Sequence, residues 1–413
     1  MNPYESDLAE GIIPEKLPEH ISPPSTEFLA WHRVRKQYIR HHQWNELARR
    51  NVDNQWRADL QKPSLTAVQA PSAMHVVRPL RCLVIPGNHL LDVRSMWNEI
   101  SPLDCFIRYL GFNEGQGSSQ VGTDVHVANN AVTSLAGVVP DSQVIKDRFE
   151  TIGGVNTFAF KRLKEYGPYH IVNLDLCRSM FPNTEQSVDD YYTALNALLK
   201  YQFEYQKASW LLFITTMIKP AAMDKKGMQA LCKPTRDNFE NTDFLEMLKK
   251  LVQLESLEGV HGENVNLDGL TGEGLIHLFG VALGKWLLRL GQTASPKWTV
   301  EMRRSYRYSI NEDKGAVMLS LAYEMTPNFA PPVDATGMSK LPITNKQFPS
   351  EAQSALKLAK SVANIKDIDK ELVSDGAMKA VLLKEAADLM ESAGFDRVEY
   401  LKWVNKGEVV AQE

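Results

Sequence analysis

The sequence predicts an α/β protein: a doubly wound, mostly parallel sheet closed by an antiparallel hairpin, with a helical arm before it and a helical module after it. Three observations predict this. Five short apolar runs recur between residues 81 and 218, each separated from the next by a stretch of helical texture, and parallel strands need such crossovers. Two segments near residue 300 alternate in the period of two. The run from Tyr169 to Cys177 ends on Asn173, Asp175 and Cys177, and open sheets of this kind bind ligands at the carboxyl ends of their strands.

Residues 1–26 are rich in Pro, Glu and Ser and predict an extended arm. From Glu27 to Arg57 no Gly or Pro occurs, and Trp31, Val34 and Tyr38 recur at helical spacing. Arg33, Lys36 and Arg40 share a second face, with Arg35, His41 and His42 close by, so the helix interleaves cations with aromatic rings. Such a face suits nucleic acid, because Arg pairs with phosphate and stacks on bases. The alternative is a docking helix whose aromatics are core and whose cations are a solvated face. Residues 61–75 read as a linker, so the arm and its helix span 1–75.

The sheet domain is expected over 76–330. Its strands are Arg81–Pro86, Cys105–Phe112, Ser142–Ile145, the run from Tyr169 and Trp210–Ile218, with helices between them. Residues 219–265 read as a helical insertion or lid, and Leu275–Leu290 as an apolar helix. Lys297–Ile310 and Gly315–Thr326 form the closing hairpin. A Pro-rich linker over 331–350 leads to two or three amphipathic helices in 351–413, with Gly394 and Gly407 as breaks.

The composition sets bounds. The net charge of −4 gives no bulk attraction to polyanions, so any nucleic-acid contact is a local patch. The four cysteines show no CxxC pair, which argues against a disulfide framework and a thiolate zinc site, and the histidines show no metal spacing. No apolar run approaches the roughly 20 residues that span a bilayer, and the polar, acidic start is unlike a signal peptide; a cytoplasmic protein is expected. His170, inside a strand, reads as a core histidine, and Cys177 as an inert thiol for want of a base; Tyr166 is a weaker neighbour of the same corner.

The element order resembles that of class I S-adenosylmethionine-dependent methyltransferases, a Rossmann-like fold whose sixth strand is parallel and seventh antiparallel. The resemblance covers about residues 78–326. It implies that the turn at Gly87 and Asn88 meets the amino-acid part of S-adenosylmethionine. It likewise implies that Asn113 and Glu114 reach the ribose hydroxyls and that Asp147 reaches the adenine. At the fourth-strand end it implies a catalytic Asp175 acting as base or orienter, with Asn173 holding the methyl acceptor. Two departures stand out. The first turn, IPGNHLLD, has one Gly where the family has several, and the fourth strand lacks the Asn/Asp-Pro-Pro-Tyr segment of enzymes that methylate base amino groups. The stretches WHRVRKQYIRHHQW and VNLDLC also look similar to uncharacterised bacterial proteins linked to mobile elements and phage defence. The implied function is a methyltransferase-like protein acting on nucleic acid or a partner protein. The alternative is an inactive binding or assembly subunit of a nucleic-acid-associated complex that grips partners through its C-terminal helices.

Overall fold

The computed structural model describes residues 28–29, 32–56, 79–114, 125–176, 178–182, 189–220, 223–254, 270, 272–309, 316–329 and 348–409. The expected extended arm, the linker at 61–75, Trp31, Cys177 and residues 331–347 lie outside them. The first element, α1, is a continuous helical stretch. Val34–Ile39 and Glu46–Asn51 are α-helical, while Arg40–Asn45 and Val52–Trp56 are π-helical. There follow β1 (Leu80–Val84), α2 (Leu91–Ile100), β2 (Ile107–Phe112), α3 (Val125–Thr133), β3 (Gln143–Ile145) and α4 (Phe158–Tyr166). Then come β4 (Ile171–Asp175), α5 (Asp189–Tyr205), β5 (Trp210–Ile218), α6 (Lys225–Cys232), α7 (Thr242–Val252) and α8 (Gly272–Thr293). The chain closes with β6 (Lys297–Met302), β7 (Tyr306–Ser309), β8 (Val317–Asn328), α9 (Glu351–Val362), β9 (Lys366–Asp367), α10 (Ile368–Ser374), α11 (Gly376–Ser392) and α12 (Arg397–Val409).

One nine-stranded sheet orders them β3-β2-β1-β4-β5-β8-β7-β9, with β6 also paired to β8. The first five strands are mutually parallel, in registers such as Val84 with Asn173 and Asp175 with Thr215. β8 runs antiparallel to β5 from Trp210 with Met325 to Ile218 with Val317, and β6 and β7 run antiparallel to β8 in turn. β9 is parallel to β7, so β8 alone of the nine is reversed. The nearly unbroken burial of β5, WLLFITTMI, is what a strand covered on both faces requires.

Each face has its own core. Ile171, Leu211 and Phe213 point to one side, beneath α1, α2 and α3. Val172, Leu174, Leu212 and Ile214 point to the other, beneath α4 to α9. Side-chain caps start several helices where the chain must turn. Asp224 accepts from Gly227 N–H, Asn241 from Phe244 N–H, and Ser350 with Gln353 forms a reciprocal capping box on α9.

Three expectations change. Residues 219–265 are not a lid where described: Met228, Leu231, Phe244 and Leu248 are buried in the main core. The tail is not set apart either, since Leu358 and Val362 of α9 join that core and β9 joins the sheet. Gly394, at φ +89°, does break the chain, but Gly407 lies within α12. By length and composition α8 could cross a membrane, yet 83% of its apolar window is buried inside the protein, where it covers the sheet.

Candidate functional site

Helix α1 crosses the carboxyl end of the sheet with its cations turned inward. Ile39, Trp44, Ala48 and Val52 are buried against the β1–β4–β5 face, and of the stripe read from sequence Val34 and Tyr38 are buried in the same core. Gln43 fixes the middle of the helix: its Nε2 donates to the carbonyls of Arg304 and Ser320, and its Oε1 accepts from the Ser320 hydroxyl at 2.7 Å. Asn45 donates to Ser95 at 2.9 Å. With the helix so pinned, Lys36 and Arg40 face the sheet and are only 3% and 4% exposed.

Both find carboxylates there. Lys36 Nζ donates to Asp175 Oδ1 at 2.5 Å, and the Nζ sits 4.5 Å from the centre of the Trp44 ring. Arg40 Nε donates to Asp92 Oδ1 at 2.8 Å, with both side chains buried. Burial works against the Lys36 ammonium, but Asp175, Tyr308 and Asp92 together hold it well above its ordinary value, so Lys36 is firmly charged. Buried pairs of this kind are weak evidence for stability, because an apolar pair of equal volume often folds as well; removing one partner alone costs about 3–5 kcal/mol. Asn173 points to the same face as Asp175, two residues earlier on β4, and is 1% exposed. Its Oδ1 has no hydrogen-bond partner among the described residues.

The other predicted residues gather at the carboxyl ends of β1, β2 and β3. Asn113 Nδ2 donates to the Pro86 carbonyl at 2.9 Å and to Asn88 Oδ1 at 3.1 Å, tying the second-strand end to the first turn. A Cβ on Gly87 would meet nothing within 4 Å, so a ligand can approach this backbone closely. Glu114 is exposed, with Arg148 Nε 3.9 Å away. Asp147 caps its own turn, accepting from Arg148 N–H at 2.7 Å and from the Thr151 hydroxyl at 3.2 Å. The structure thus sets the residues singled out from sequence in two groups: Gly87, Asn88, Asn113, Glu114 and Asp147 at the turns after the first three strands, and Asn173 and Asp175 at the end of β4.

The basic face divides. Arg33 lies 4.7 Å over the Trp403 ring, Arg35 pairs with Asp369, and Lys36 and Arg40 are inside. The four therefore do not form one exposed surface. His170 is the core histidine expected: its Nδ1 accepts from Arg81 N–H at 3.0 Å, and burial lowers it to about 3. Tyr166 donates to the Asp141 carbonyl, away from the corner. Sequence reasoning passed over Asp92 and Tyr308. Asp92 carried a usable signal, an acid in the first turn of the helix after the first strand, whereas nothing local marks Tyr308.

The chain matches no curated protein and no solved structure. A family model described as PP_RS20740-like matches residues 25–405, which takes in α1, the whole sheet and nearly all of the tail. By that match the chain belongs to the PP_RS20740-like family.

Proposed function

We propose that the chain is an S-adenosylmethionine-binding protein of the methyltransferase type. The observation that carries this reading is the sheet: β6 and β7 parallel to the first five strands, β8 alone reversed, and helices on both faces. The residues at the carboxyl ends fit the cofactor. The open space at Gly87 admits close backbone approach by its amino-acid part. The exposed Glu114 carboxylate can accept the protons of both ribose hydroxyls, and Asn113 keeps the turn in place for this. When bound, the cofactor supplies a methyl group on a sulfonium. Asp175 then takes or orients the acceptor's proton, and the Asn173 amide holds the acceptor.

A second reading is favoured by one feature. Lys36 already neutralises Asp175, and a corner closed in this way suits a binding or assembly subunit without turnover. Calorimetric titration of the purified protein with S-adenosylmethionine and S-adenosylhomocysteine separates the two. Micromolar binding that Glu114→Ala removes, with the fold intact, is expected. Unchanged affinity in Glu114→Ala refutes the ribose contact, and no binding of either ligand leaves the scaffold reading.

A further inference from the structure

We propose that the cavity between α1, the β6–β7 turn and the end of α9 binds a free sugar phosphate, at a place apart from the carboxyl ends of the parallel strands. The proposal goes beyond the S-adenosylmethionine reading and does not rest on it.

The cavity measures about 380 Å³, within the roughly 300–1,000 Å³ of small-molecule sites. Three arginines line it, Arg50 from α1 with Arg303 and Arg304 from the turn between β6 and β7, against one carboxylate, Glu46. Arg50 Nη2 donates to Glu46 Oε1 at 3.0 Å and Arg304 Nη1 to Oε2 at 2.8 Å, so two guanidiniums share a single negative charge. Each meets it through one nitrogen, and the two side chains are 53% and 47% exposed. Further N–H groups of each fork therefore remain for a ligand. The carboxylates that pair with Arg303, Glu301 and Glu324, do not line the cavity.

These cations are held in place before any ligand arrives. Gln43 Nε2 donates to the Arg304 carbonyl at 2.8 Å, and Arg303 Nε donates to Glu324 at 2.8 Å, so less freedom is lost on binding. Phosphate suits two guanidiniums that come from separate elements, because its three terminal oxygens can serve both forks at once. His42 lines the same cavity; burial and the neighbouring His41 lower it, so its ring is neutral and keeps one N–H to donate. The α9 side offers acceptors instead. Asn364 Nδ2 donates to the Lys360 carbonyl at 2.8 Å and Ser361 Oγ to that of Lys357 at 3.1 Å, which leaves Asn364 Oδ1 and Ser361 Oγ to accept. Cationic donors with neutral acceptors in one cavity match a molecule that carries a phosphate at one end and hydroxyl groups at the other.

Calorimetric titration of the full chain with ribose 5-phosphate, glucose 6-phosphate and adenosine 5′-monophosphate tests this at constant ionic strength. At least one is expected to bind, with ribose silent and inorganic phosphate about ten-fold weaker than the best of the three. Arg50→Gln and Arg304→Gln, at half-exposed side chains whose loss the fold should bear, are each expected to weaken binding about ten-fold or more, the loss of a charged hydrogen bond. Arg49→Gln is the control for bulk charge, since Arg49 is 58% exposed but does not line the cavity, and it is expected to change nothing. Asn364→Leu is expected to weaken the sugar phosphates and leave inorganic phosphate unchanged. No binding by any of the three, inorganic phosphate as tight as the best of them, or an Arg49→Gln loss equal to that of Arg50→Gln overturns the proposal. A 5′-phosphorylated trinucleotide that binds more tightly than adenosine 5′-monophosphate overturns it as well, because the ligand would then be a nucleic-acid end and not a free sugar phosphate.

Discussion

Three histidines sit where protonation is costly. Burial, reinforced by Arg40 and His89, lowers His32 to about 3; burial with Arg94 lowers His89 to about 4; and burial with Arg81 lowers His170 to about 3. Burial keeps all three neutral in the folded chain well below the pH near 6.5 at which each titrates in the unfolded chain. The unfolded state therefore binds more protons between pH 6.5 and about 4, and stability present above 6.5 is lost as the pH falls through that window. Each histidine contributes about 1.4 kcal/mol per pH unit once well below 6.5. Urea midpoints at pH 7.0, 5.5 and 4.5 measure the slope, and His170→Gln should make it shallower by about one histidine's share. A slope unaltered by that change would place the acid sensitivity elsewhere. His170, which immediately precedes β4, was readable from sequence because a histidine set in an apolar run has apolar neighbours whatever the topology. Lys36 was not. Helical spacing groups Arg33, Lys36 and Arg40 on one face, but whether that face meets solvent or two carboxylates depends on Asp92 and Asp175, which lie 52 residues from Arg40 and 139 from Lys36 along the chain.

At the scale of elements, the tightest junction is that of α8 with α9. A Cβ on Gly284 would lie 2.5 Å from one Leu358 methyl and 2.6 Å from the other, while one on Gly280 would be 3.3 Å from the Val362 methyls. The helices approach closely because α8 has no side chain at these two positions. Gly284→Ala forces Leu358 off its rotamer or the helices apart and should cost about 1–3 kcal/mol; Gly280→Ala, with more room, should cost less. Urea denaturation measures both, and Gly284→Ala with Leu358→Ala should recover part of the loss. If the two alanine variants are equally stable, the junction yields and the contact does not fix the helix pair. The strands and most helices were legible here, since period and cap chemistry are local: α5 and β5 begin where the pattern places them, at Asp189 and Trp210. The partner of α8 was not, because a Pro-rich stretch before α9 reads as a boundary and glycine spacing in an apolar helix does not say what it receives.

The whole molecule folds around one sheet that the last third of the chain completes. β8 lies between β5 and β7, α9 buries Leu358 and Val362 in the same core as β4 and β5, and β9 adds the last strand beside β7. Polar contacts follow the same path. Asp369 of α10 accepts from Ser309 N–H at 2.7 Å and pairs with Arg35, and Glu385 of α11 accepts from His41 and Gln37, so the tail also holds the turn of α1 that carries Lys36. Composition suggested a separate module after residue 350, since amphipathic helices after a linker look alike whether they pack on one another or on a distant sheet face. The two cases differ in what truncation does. A chain ending at residue 347 should lose the single cooperative unfolding transition expected of the full protein and expose apolar surface along α8, seen as dye binding and a broadened thermal melt. Residues 348–413 alone should show little helix by circular dichroism, because the faces of α9 and α10 have no partner in that fragment. A truncated chain that melts cooperatively near the full-length midpoint would restore the boundary at 350 and detach the seat of Lys36 from the tail.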